Sequence, residues 1–296
     1  MRHVLDVDDL SADEVAAVLG LAERPDPEPV LAGRGVGLVF QKPSLRTRVS
    51  MEMAVVQLGG HPVAIQDVEV GLDSRESAAD VARVLSQYCA VMGARVFAHE
   101  TVERMAGAAA VPVVNLLSDR AHPCEVLGDL FVLRHHLGAL AGRTLAWVGD
   151  GNNVCRSLLA AAPLVGLAVR VACPAGYEPP ADAVARAGAT LTTDPAEAVA
   201  GADAIYTDVW TSMGQEGEGA ARRAAFAGFT VDDALMARAD PGALFLHCLP
   251  AHRGEEVAAS VIDGPASVVW EQAAARMHAQ RGLLWWLVET AGGGAR

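Results

Sequence analysis

Short apolar runs rich in β-branched residues alternate along this chain with stretches whose apolar positions recur at helical spacing. Gly35-Val36-Gly37-Leu38-Val39-Phe40 predicts a strand, and Arg48 to Leu58 predicts a helix that Gly59-Gly60 ends. The unit repeats with strand Pro62 to Ile65, helix Ser77 to Cys89, strand Ala94 to Phe97, helix Thr101 to Ala108 and strand Val111 to Leu116. A long helix, Pro123 to Leu137, follows. After Gly138 the alternation restarts with strand Thr144 to Val148, helix Asn153 to Val165 and strand Ala168 to Ala172. Strands Ala204 to Tyr206 and Leu244 to His247 complete a second sheet, and an apolar helix spans roughly Ala273 to Glu289. The class this predicts is α/β, with two domains, each a parallel sheet flanked by helices. The boundary falls in or just after the long helix, giving residues 1–133 and 134–272, with a C-terminal helix over about 273–296.

Composition supports that reading and narrows the function. A chain of 296 residues is long for one core and comfortable for two, and 52% hydrophobic with 20% charged residues lies inside the globular range. The first residues have no apolar core of signal-peptide length, and no later stretch runs 18 residues without a charge or turn signal, so a cytoplasmic protein is expected. The five cysteines, Cys89, Cys124, Cys155, Cys173 and Cys248, are odd in number and scattered, which argues against a disulfide framework or a structural zinc site. A formal charge of −13 repels nucleic acid and anionic membranes, leaving small-molecule chemistry. An acidic protein that binds an anion must gather its arginines in one place, which singles out Arg46, Arg48, Arg95 and Arg276.

In open parallel sheets ligands bind beyond the carboxyl ends of the strands. The loops there are Gln41 to Thr47, Arg95 to Glu100, Ser118 to Glu125, Gly149 to Asn153, Asp208 to Gln215 and Cys248 to Glu256, and polar residues crowd them. Ser44-Leu45-Arg46-Thr47-Arg48 joins a strand to a helix, so main-chain N–H groups and the helix dipole converge at its start. Ser44 and Thr47 add hydroxyls, and Arg46 can grip two phosphate oxygens at once. The bland alternative is an N-cap followed by a solvated basic turn; basic residues are unfavourable there without an anion.

Phe40-Gln41-Lys42-Pro43-Ser44-Leu45-Arg46-Thr47-Arg48, His122-Pro123-Cys124-Glu125, Asp208-Val209-Trp210-Thr211-Ser212-Met213-Gly214 and His247-Cys248-Leu249-Pro250 resemble, in order and spacing, the signature motifs of ornithine carbamoyltransferases. The resemblance implies two α/β domains with the C-terminal helix returning to the first, a homotrimer or multiple of trimers, no metal or organic cofactor, and a place in arginine biosynthesis. It implies a carbamoyl-phosphate site of Ser44, Leu45, Arg46, Thr47 and Arg95, with His122, Glu125, Cys248 and Arg276, and Glu69 lent by a neighbouring subunit. Arg95, His122, Cys248 and Arg276 would be the catalytic members. Asn153, Asp208, Ser212, Met213 and Leu249 would hold ornithine, Asp208 suiting its α-ammonium. The implied reaction is direct carbamoyl transfer to the δ-amine, giving citrulline and phosphate. Cys248 would orient the amine and the carbonyl group rather than act as a nucleophile.

Glu125 stands where the family has glutamine, as does Glu69, and Ala274-Ala275 replace Glu-Asn before Arg276. A carboxylate about 5 Å from a phosphate charge costs on the order of 3 kcal/mol at an effective dielectric of about 20. These changes raise an alternative, a retuned donor such as an amidine type or a different amine acceptor; a non-catalytic paralogue is a third reading. Gly149-Asp150-Gly151-Asn152-Asn153 suggests a dinucleotide loop, but Val154 replaces the third glycine. His247, Cys248, His252 and Glu255 could be drawn as a zinc cluster, though the spacing matches no standard set. His135-His136 reads as solvated helix surface.

Overall fold

The computed structural model describes residues 1–212 and 214–292. Two compact units emerge, one of Met1–Phe131 with Ala274–Arg296 and one of Val132–Ala273. In chain order the first holds α1 (Ala12–Ala22), β1 (Gly35–Phe40), α2 (Leu45–Gln57), β2 (His61–Gln66), α3 (Asp67–Val70), α4 (Ala78–Tyr88), β3 (Cys89–Arg95), α5 (His99–Ala108) and β4 (Val113–Leu117). The four strands form one parallel sheet in the order β2-β1-β3-β4. Right-handed crossovers through helices are what such ordering requires, and Val39, Val81, Met92, Val102 and Met105 are among the residues that fill the core beside it.

Helix α6 (Pro123–Leu137) leads into β5 (Thr144–Val148), α7 (Asn153–Val165), β6 (Ala168–Ala172), α8 (Ala181–Ala187), β7 (Thr190–Thr192), α9 (Pro195–Val199), β8 (Ala204–Thr207), α10 (Gly219–Ala225), α11 (Asp233–Met236), β9 (Leu244–His247), α12 (Ala259–Ile262) and α13 (Val269–Gly292). The second sheet is also parallel, in the order β7-β6-β5-β8-β9. Its core gathers Val148, Ile205, Trp210, Phe226, Phe245 and Ile262. Strand β5 lies between β6 and β8, so the order in which strands are added reverses beside it, and the loops after β5 and β8 open side by side. From Ala274 on, α13 belongs to the first unit: Arg281 donates to the carbonyls of Ala22 and Arg24 at 2.7 Å each. Gly282 allows the approach, since a Cβ there would lie 2.4 Å from the Val18 carbonyl oxygen. No helix among the described residues is long and apolar enough to cross a membrane.

Several boundaries depart from the sequence expectation: α5 begins at His99 rather than Thr101, β4 spans Val113–Leu117 rather than Val111 to Leu116, and α13 begins at Val269 rather than about Ala273. Helix α2 begins at Leu45 rather than Arg48, because Ser44 caps it. Strand β3 begins at Cys89, where a helix end was expected, and stops at Arg95 rather than Phe97. Cys89 to Ala94 is apolar at both the helical and the strand period, and pairing with β1 and β4 decides it. Helix α1 was not expected at all, though Ser11 and Glu14 form a reciprocal capping box at its start.

Candidate functional site

In the first unit the polar residues converge on Thr47. Ser44 caps α2, its Oγ accepting from the Thr47 N–H at 3.3 Å and donating to Thr47 Oγ1 at 3.1 Å. The first turn carries Arg46 and Arg48 and no acid. Positive charge there opposes the helix dipole, an arrangement that an anion would stabilise. Arg48 is exposed and pairs with Glu52 at 2.8 Å. Arg46 is half-buried, Leu45 exposed and Thr47 fully buried.

Register brings Arg95 to the same place. Phe40 pairs with Arg95 across the β1–β3 ladder, and the Gln41 N–H donates to the Arg95 carbonyl at 2.8 Å. The buried Arg95 side chain donates through Nη1 to Thr47 Oγ1 at 3.4 Å. Arg276, on α13, donates through Nη2 to the same oxygen at 2.8 Å and sits 2.9 Å through Nη1 from Glu125 Oε2. Both partners of that ion pair are buried. Gly128, on α6, makes room: a Cβ there would stand 3.1 Å from the Arg276 Cα. His122 Nε2 lies 3.3 Å from Glu125 Oε2. Burial, then the charges of Arg276, Arg95 and Arg46, push the His122 imidazole well below its ordinary value, so it is neutral at physiological pH.

Two further groups border this constellation. Lys42 stands over the Phe97 ring at 4.6 Å, and burial followed by Arg95 lowers its pKa. Cys124 is a packing residue whose thiol burial pushes up to about 12. Glu69 is exposed and accepts from the Gln66 N–H at 2.6 Å, capping α3 in this chain.

The second unit presents a separate set on the loops after β5, β8 and β9. Asn152 caps α7, accepting from Val154 N–H at 3.0 Å and Cys155 N–H at 3.1 Å, and donates through Nδ2 to Asp208 Oδ2 at 2.7 Å. Asn153 is the first residue of α7 and half-buried; Asp208 is buried directly after β8. The Ser212 N–H donates to Gln215 Oε1 at 3.0 Å. Met213 lies outside the described residues. Leu249 has a left-handed backbone, φ 59, and its N–H donates to His247 Nδ1 at 2.8 Å. That contact leaves Nε2 to carry the proton toward Glu256 Oε1, 3.1 Å away.

Asp208, His247 and half-buried Cys248 offer ligand atoms within 4.8 Å of one another, and His252, Glu255 and Glu256 form another such group. The zinc set drawn from the sequence is therefore divided between two groups, and both ring nitrogens of His247 are engaged. The dinucleotide reading fails on packing: a Cβ at Gly151 would lie 2.2 Å from the Pro179 nitrogen, so this glycine serves a close chain approach. His136 pairs with Glu271 at 2.5 Å on the exposed side of its helix. Asn152, Asp150, Arg222 and Lys42 were missed as site residues. Asn152 and Asp150 stood in a loop already marked, whereas Arg222 sits in an alanine-rich segment with no sequence signal beyond Glu218 four residues before it.

Two parallel α/β units, one with buried guanidinium groups at a helix start and one with polar loops beyond its strands, match family models along most of the chain. The carbamoyl-phosphate-binding domain of aspartate/ornithine carbamoyltransferases matches residues 2–135, and their Asp/Orn-binding domain matches residues 141–287. The chain belongs to the aspartate/ornithine carbamoyltransferase family and is an enzyme of that class. Within it, the chain is similar to the ornithine carbamoyltransferase of Acidothermus cellulolyticus, 51% identical over 307 residues, covering 99% of this chain and 98% of the relative. The crystal structure of ornithine carbamoyltransferase from Thermus thermophilus superimposes with a TM-score of 0.92 at 47% identity, covering 97% of this chain and 99% of that one. The Pyrococcus furiosus enzyme gives 0.94 at 43%, covering 100% and 98%.

Proposed function

We propose that this protein transfers the carbamoyl group of carbamoyl phosphate to the δ-amine of L-ornithine, giving L-citrulline and phosphate. The observation that carries the reading is the convergence of Arg95 and Arg276 on Thr47 at the start of α2, beside neutral His122. Ser44, Arg46, Thr47 and Arg95 bind the phosphate, with main-chain donors of Leu45 and its neighbours adding to the grip. His122 and Arg276 donate to the carbonyl oxygen as negative charge develops on it. The unprotonated amine attacks the carbonyl carbon, the C–O bond to phosphate breaks, and phosphate departs with the electron pair while the nitrogen gives up its proton. A neutral imidazole suits this role because it donates a hydrogen bond without adding a proton to the chemistry.

Glu125 fits the same donor. Its carboxylate is answered by Arg276 at 2.9 Å, so with Arg46 and Arg95 the three guanidinium groups outnumber the one carboxylate. That balance supports an anionic donor over an amidine. Asp208 takes the acceptor's α-ammonium, Asn153, Ser212 and Met213 its carboxylate end, and Leu249 borders it; Cys248 orients the amine.

The chain assembles as a homotrimer, in which Glu69 reaches a neighbouring subunit's donor site. Support comes from the apolar stripe Leu45, Val49, Met53 and Val56, left exposed along α2. It acts in the cytoplasm, in arginine biosynthesis. The test is incubation of purified protein with carbamoyl phosphate and L-ornithine, following citrulline and phosphate. Equal release of both is expected; turnover of another donor or amine without citrulline would overturn the reading. Light scattering of the same sample tests the trimer.

A further inference from the structure

Arg222 is a buried cation on α10, and two of its contacts run to the loops that carry the acceptor candidates. Nη1 donates to Asp150 Oδ2 at 2.9 Å and to the Trp210 carbonyl at 3.0 Å. Nε donates to Glu218 Oε2 at 3.0 Å, and the guanidinium lies 5.0 Å from the Tyr177 ring centroid. Asp150 belongs to the loop after β5, two residues before Asn152, while Trp210 lies between Asp208 and Ser212 in the loop after β8. One guanidinium therefore spans both loops, and a second tie, Asn152 to Asp208 at 2.7 Å, also joins them.

We propose that Arg222 is a positioning residue for the amino-acid acceptor, fixing the distance between the Asn153 loop and the Asp208–Ser212 segment and thereby setting acceptor affinity. The inference rests on the acceptor reading given above. Trp210 makes the coupling firm: its ring is buried and stacked on Phe226 at 5.6 Å, so the backbone that Arg222 holds cannot move independently of the core. The planar fork of arginine suits the task, since three acceptors lie around one guanidinium, a geometry a lysine ammonium on a flexible stem does not reproduce.

The electrostatics give the same residue a second effect. Besides Arg222, the charged groups acting on Asp150 are Asp208 and Glu218, both acidic, and burial lifts its carboxyl to about 6 even with the arginine present. The neighbouring thiols Cys155 and Cys173 are driven far above their ordinary value and are neutral. Without Arg222, the Asp150 carboxyl would lose the one cation that favours its charged form, take up a proton, and no longer anchor the loop after β5 by an ion pair.

The experiment is steady-state kinetics of full-length Arg222→Ala and Arg222→Lys beside the wild type, varying ornithine and carbamoyl phosphate separately, with thermal melts of each. Arg222→Ala should raise the ornithine KM about tenfold or more while the carbamoyl-phosphate KM stays within about twofold. Arg222→Lys, which keeps the charge beside Asp150 but not the fork, should melt closer to the wild type than the alanine variant does and give an intermediate ornithine KM. An unchanged ornithine KM in the variants would overturn the proposal, as would both KM values rising in parallel with a lowered melting temperature. Wild-type turnover in the same assay separates the two layers: if the wild type uses another amine, the ornithine reading falls and the positioning role is judged on that amine.

Discussion

Arg276 Nη1 lies 2.9 Å from Glu125 Oε2, an ion pair in which both side chains are buried. Breaking such a pair from one side leaves an uncompensated charge, so each partner constrains the other. The pair also fixes where Arg276 can point, because its second nitrogen is committed to Thr47 at 2.8 Å.

Glu125→Gln should release Arg276 toward the donor. The carbamoyl-phosphate KM is expected to fall by about threefold to tenfold, and unfolding free energy to drop by roughly 1–3 kcal/mol as the guanidinium loses its charged partner. Kinetics with denaturant unfolding of the same variant checks both; a raised donor KM would show that Glu125 serves the donor directly.

Thr47→Val keeps the shape of a fully buried side chain and removes the oxygen shared by Ser44, Arg95 and Arg276. The expected outcome is a loss of about 1–3 kcal/mol in stability, because buried donors are left without their acceptor, and a donor KM raised by about tenfold or more. A variant with wild-type kinetics would mean that the hydroxyl does not align the arginines.

Arg46→Ala should separate binding from folding. Arg46 is half-buried at the dipole-positive start of α2, where its charge lowers the His122 pKa and gives the helix no capping support. Donor use should fall by about a hundredfold while stability changes by less than about 0.5 kcal/mol. Unchanged activity would remove the helix start as the phosphate site.

His122 sets a pH signature whose sign follows from its depressed pKa. Below 6.5 the unfolded chain accepts a proton that the folded His122 refuses, so this residue makes the fold lose stability as pH falls from 6.5 toward the folded value. The slope can reach about 1.4 kcal/mol per pH unit. The stability of wild type relative to His122→Asn should therefore decline between pH 7 and pH 5. Urea unfolding across that range measures it, and a constant difference would mean that His122 titrates normally.

Much of the chain was legible before any tertiary contact was known. Strands β1, β5, β6 and β9 and helices α6 and α7 fall on the expected residues, because each is a run in which apolar period, caps and flanking glycines agree. Segments with ambiguous period were not: Cys89 to Ala94 becomes strand only through its neighbours in the sheet. Helices α8 to α12 are short pieces whose stability comes from packing rather than propensity.

The same division holds for the chemistry. Sequence alone marked Ser44 to Arg48 as an anion site, since a strand, a loop and a basic helix start are local features, and it marked Glu125 as a charge in need of an answer. Only the tertiary structure supplied the answer, bringing Arg276 from the far end of the chain to Glu125 and Thr47. Likewise it placed Arg222 between two loops that sequence had identified separately. A helix start carries its dipole and its donors wherever it folds, whereas the partner of a buried charge depends on which distant backbones can approach, and at Gly128 the absence of one Cβ decides that approach.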